Sequence, residues 1–149
     1  MRNILCILFL LLALPFAARA QKELHVGSIL DGHHKRNPAV TEVEIVGERL
    51  REYQLTYYHS LTVADDAQLM GEVISAFLAD GENAEDKEMT NVGGQLYTGI
   101  YRLKYDGYVN RFLFCKDMRR SSSEQRNAVI LIYMEGSVSL KSLQRKFKK

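Results

Sequence analysis

Two dipeptides, Gly93-Gly94 and Asp106-Gly107, constrain the fold of this chain more than any other feature. Each tolerates the positive φ angles that a two-residue hairpin turn requires. They bracket a strand-like stretch at residues 95–105, with a polar, edge-like stretch at 82–91 before it and an apolar one at 108–116 after it. Strands joined by such tight turns must run antiparallel, because a parallel pair needs a crossover of a dozen or more residues.

The remaining pattern fills in the same architecture. Residues 40–46 alternate as a strand, with Val43 and Ile45 on one face and Glu42 and Glu44 on the other. Residues 55–63 are rich in Tyr, Thr and Val and read as a second strand. A helix follows, capped by Asp65 or Asp66, with Leu69, Met70, Val73, Ile74, Phe77 and Leu78 as its apolar stripe and Gly81 at its end. Residues 128–134 are apolar on both faces, as befits a central strand. Ser139 can cap a last helix bearing Leu140, Leu143 and Phe147. A short helix is expected from about Ser28 to Arg36, ended by Asn37-Pro38. The expected fold is therefore α+β: an antiparallel sheet of five to six strands, largely hairpin-connected, with two to three helices packed mainly on one face.

Residues 1–20 read as a cleaved signal peptide: Arg2, an apolar run at 4–14, Pro15, and the small-x-small site Ala18-Arg19-Ala20. Eleven apolar residues cover only about half of a bilayer core, so no stable span is expected. Residues 21–149 would then form a single α+β domain, periplasmic or secreted. Arg2 and Arg19 leave with the signal and no acid does, so Lys+Arg fall from 20 to 18 against 18 Asp+Glu. A nucleic-acid partner calls for a basic excess, and none is left. Cys6 leaves as well, which makes Cys115 the one remaining thiol and rules out an internal disulfide.

Val43-Glu44-Ile45, the Tyr-rich second strand, and the run from Val129 through Gly136 to Leu140 together resemble small exported domains of unknown function found in Bacteroidetes. That resemblance implies an α+β fold and a Gram-negative envelope address. It brings no catalytic residues.

Candidate chemistry is sparse. His33-His34 after Asp31 is a tempting metal site, but adjacent helical residues diverge by about 100° and three-residue spacing supplies only two ligands, so no metal is expected. Cys115 beside a histidine such as His59 would make an uncommon hydrolase, yet no helix N-terminus or cation near it in the sequence lowers its pKa. No nucleophile elbow, phosphate loop or dinucleotide fingerprint occurs, so neither a catalytic set nor a cofactor is expected. The hairpin registers point to one ligand site. A two-residue Asp106-Gly107 turn pairs Tyr105 with Tyr108 and therefore Arg102 with Arg111. Glu85 falls opposite Arg102 by the same logic. Tyr97, Tyr101, Leu103, Tyr105, Tyr108, Phe112 and Phe114 would then share the helix-facing side. Facing arginines repel unless neutralised, either by Glu85 in a ladder or by a small anion held with help from Lys104. The basic end, Lys141, Arg145, Lys146, Lys148 and Lys149, complements a helix dipole. The expected role is a binding or interaction domain for an envelope protein or a small anionic ligand.

Overall fold

The structure, a computed structural model, describes residues 23–105, 107–123 and 126–147; the expected signal peptide lies outside them. Strands β1 (Val40–Val46), β2 (Leu55–Ala64), β3 (Asp86–Val92), β4 (Gln95–Arg102), β5 (Asn110–Asp117) and β6 (Ala128–Gly136) make one antiparallel sheet in the order β1-β2-β6-β5-β4-β3. Helix α1 (Ala67–Gly81) follows β2 and crosses one face, so that β3 enters at the far edge. The chain then returns strand by strand until β6 pairs with β2. The expected α+β class and antiparallel sheet are both present.

β6 is central because both of its faces are apolar. Val129, Leu131 and Tyr133 join the core beneath α1, while Ile132 and Met134 join a second core on the opposite face. α1 buries Leu69, Met70, Val73 and Phe77, and the Asp66 carboxylate caps it by accepting from the Leu69 N–H at 3.0 Å. Phe77 stacks on Tyr101 with ring centroids 4.2 Å apart. Helix α2 (Leu140–Phe147) is held by Ser139, whose hydroxyl accepts from the Ser142 N–H at 3.2 Å. It packs Leu140 and Leu143 on the other face, over Phe112, Phe114 and Met134. The larger helical share thus lies on one face, and the short helix takes the other.

The expected helix from Ser28 is replaced by a 3-10 turn at His25–Ser28 followed by further turns. Gly32 takes φ +90, and Asp31 accepts from the His33 N–H at 3.0 Å. This local bond competes with helical pairing and bends the chain instead. The 3-10 turn is anchored from α1. Buried Asp80 accepts the N–H groups of His25 and Val26 at 2.8 and 3.0 Å.

The first hairpin forms as expected, with Val92 opposite Gln95 and φ of +60 and +76 at Gly93 and Gly94. Thr90 pairs with Thr98 and Asn91 with Leu96, so Tyr97 is a bulged residue. The second hairpin corrects the expectation. Arg102 pairs with Phe112 and Tyr101 with Leu113, one residue away from the register a two-residue turn would impose. A one-residue slip turns every side chain to the other face. β5 allows it because Phe112-Leu113-Phe114-Cys115 is apolar in both phases, so its own alternation selects neither register. Consequently Tyr101 and Leu103 lie under α1, whereas Phe112 and Phe114 lie under α2. Tyr105 and Tyr108 join neither core, being 52% and 82% exposed.

Candidate functional site

The register decides the fate of the arginine site. Directly opposed residues share a face, so Arg102, paired with Phe112, and Arg111, paired with Glu135, point to opposite sides of the sheet. The bulge at Tyr97 shifts the first hairpin's register, so Asp86 and not the expected Glu85 lies opposite Arg102; Arg102 still donates from Nη1 to Glu85 Oε2 at 2.9 Å. Arg111 is instead buried and donates from Nη2 to the Lys104 carbonyl at 2.9 Å. Arg102, Arg111 and Lys104 do not converge on one anion.

On the α1 face, the edge strand β1 carries Glu42, half-buried, and Glu44, exposed. Tyr57 donates to Glu44 Oε1 at 2.6 Å, and His59 Nε2 lies 2.6 Å from Glu42 Oε1 with Nδ1 3.3 Å from the Tyr57 hydroxyl. Tyr133 donates to Glu135 Oε1 at 2.6 Å on the neighbouring strand. Burial pushes the Tyr133 hydroxyl up first, and the Glu135 carboxylate pushes it further, so it remains a neutral donor. Charged residues on an edge strand also deter a further strand from pairing there.

No nucleophile of the expected kind joins this cluster. Cys115 is fully buried on β5, and burial, aided by Asp117, pushes its thiol well above the ordinary range. His59 is on β2 with β6 between the two strands, a lateral separation of about 9–10 Å. The Cys115–His59 pairing is therefore not assembled. Among the described residues no group of three or more His, Cys, Asp or Glu is placed to hold a metal. His33 instead pairs with Asp31.

The opposite face holds the most distinctive recess. α2 has eight residues and spans about 12 Å, while six strands extend over about 24 Å, so this helix cannot cover its face. Beside it lies a cleft of about 260 Å³ lined by Ile45 of β1, Leu55 and Tyr58 of β2, Met134 of β6 and Leu143 of α2. Leu50 and Tyr53 close it from the 3-10 turn Glu48–Tyr53, where a three-residue spacing brings both to one side. The wall presented to the cavity is wholly apolar, Lys146 contributing only its stem. At the mouth the Lys146 ammonium sits 4.5 Å from the centroid of the Tyr53 ring. Phe147 forms another wall and stacks on Phe114 with centroids 4.4 Å apart.

Exposed apolar groups continue from the cleft onto the surface: Tyr53 and Phe147 at its rim are 45% and 37% exposed. Val43, two residues from Ile45 and on the same strand face, is 44% exposed. Contiguous apolar surface of this kind marks a contact site. None of these residues belongs to the arginine site expected from sequence. The available signal was the mismatch between a six-stranded sheet and a final helix of two turns.

A family model described as a family of unknown function, DUF6108, matches residues 13–147. The chain belongs to that family. No curated protein and no solved structure matches it.

Proposed function

We propose that this protein is an exported binding domain that receives an apolar ligand group in the cleft beside α2. The observation that carries the reading is the cleft's composition. Its walls are entirely apolar and converge from β1, β2, β6, α2 and the 3-10 turn, and its rim is exposed. Ligand sites are concave and mostly apolar, with a few polar groups to orient the guest, and here Lys146 stands at the mouth. In the polar cluster on the other face, Tyr57 and His59 pair with Glu44 and Glu42 across β1 and β2, while Glu42 Oε2 is buried without a hydrogen-bond partner among the described residues. The export half of the proposal rests on residues 1–20. No helix among the described residues is long and apolar enough to cross a membrane. Intact-mass analysis of protein recovered from the envelope or medium should find Gln21 as the first residue.

Binding is tested with a neutral solvatochromic dye such as Nile red. The protein should enhance its emission saturably. Ile45→Trp, which fills the cleft from the edge strand, should weaken binding by about tenfold or more by taking the ligand's volume. The chain has no tryptophan, so the introduced indole also reports its own burial. Equal dye binding by both proteins, or none by the wild type, would sink the proposal.

A further inference from the structure

We infer that the occupant of this cleft is a single-chain anionic amphiphile, a fatty carboxylate whose chain fills the cavity and whose head group meets Lys146 and Arg145. The inference rests on the cleft being a binding site and adds the ligand's class. Size sets the first limit. Ligand pockets span about 300–1,000 Å³, so about 260 Å³ suits one chain and neither a two-chain lipid nor a polycyclic ligand. At about 30 Å³ per group, the volume of a water, it holds roughly nine methylene-sized units.

Charge sets the second. α2 carries Lys141, Arg145 and Lys146 and no acid. Arg145 and Lys146 line a groove of about 680 Å³ that shares Tyr53 and Lys146 with the cleft, so the two recesses adjoin. Glu52 is the acid of that groove, set against two cations. The apolar cavity offers no partner to a head group and expels it to the mouth, where the cations stand. A carboxylate there gains bonds in which both partners are charged, a neutral head gains only weaker ones, and a cationic head meets repulsion.

The experiment is calorimetric titration of the protein from Gln21 onward with decanoate, decyl maltoside and decyltrimethylammonium, each below its micelle concentration. Decanoate should bind at one per chain, about tenfold tighter than decyl maltoside, and decyltrimethylammonium weakest of all. Lys146→Glu should abolish the preference for decanoate. Lys141→Glu changes net charge equally from outside the cleft and should retain it. Equal affinity for all three heads, or equal losses in both variants, would overturn the inference while leaving the cleft a binding site. Nile red binding with no decyl compound bound would overturn it too and point to a protein segment as occupant. Failure of Nile red as well would end both readings.

Discussion

Gly136→Ala should be among the costliest single-methyl additions to this protein. A Cβ at Gly136 would lie 2.3 Å from the Gln54 carbonyl oxygen and 2.7 Å from Leu55 Cα, both backbone atoms. Gln54 is in the left-handed region at φ +57, and the β2–β6 register shifts just after Leu55, so the close approach belongs to the strand pairing itself. The same carbonyl accepts from the N–H groups of Ser137 and Val138 at 3.0 and 3.2 Å. Moving the oxygen back to an ordinary contact of 3.4 Å takes about 1.1 Å, which stretches both bonds beyond useful length. Two bonds at about 0.5–1.5 kcal/mol each, plus about 1–3 kcal/mol of overpacking, put the loss near 2–6 kcal/mol. Gly71→Ala is the opposing control. It lies within α1 with nothing within 4 Å of an added Cβ, so it should stabilise by about 0.5–1 kcal/mol. Equilibrium urea unfolding reads both. A loss below about 0.5 kcal/mol for Gly136→Ala would refute the reasoning, since the strands would then separate freely.

Asp117 gives a pH-dependent prediction. Burial pushes its carboxyl up, but the Arg119 side chain, bonding Oδ1 and Oδ2 at 2.9 Å each, outweighs burial and holds it below the usual range. A carboxyl depressed on folding contributes stability that is full above its unfolded pKa of about 3.9 and is lost as pH falls through the folded value. Asp117→Asn should therefore cost about 1–3 kcal/mol at neutral pH, with the gap to wild type closing in acid; a pH-independent gap would contradict the assignment. Cys115 should resist a disulfide-exchange reagent in the folded protein and react fully once unfolded, and rapid native labelling would contradict its burial.

Most of the architecture was legible because its signals are local. Gly93-Gly94 demands a hairpin, Asp66 caps α1, and residues 128–134 are apolar in both phases, so each element announces itself. What stayed hidden depends on register and coverage. The β4–β5 register differs by one residue from that of a two-residue turn because β5 presents an apolar side chain to either face, and that single step separates Arg102 from Arg111. Glu42 and Glu44 of β1 alternated as expected, but their partners Tyr57 and His59 come from a different strand. The cleft was least legible of all. Leu50, Tyr53 and Phe147 each resemble ordinary core residues, and only the short reach of α2 leaves space between them.

The central claim, that the cleft beside α2 receives an apolar ligand group, is tested most directly by methyl resonances of labelled methionine during a decanoate titration. Met134 lines the cleft, Met70 lies in the core beneath α1 and Met89 on the edge strand β3. The account predicts a saturable shift at Met134, with Met70 and Met89 unmoved. Saturable binding that moves Met70 or Met89 and leaves Met134 in place would contradict it.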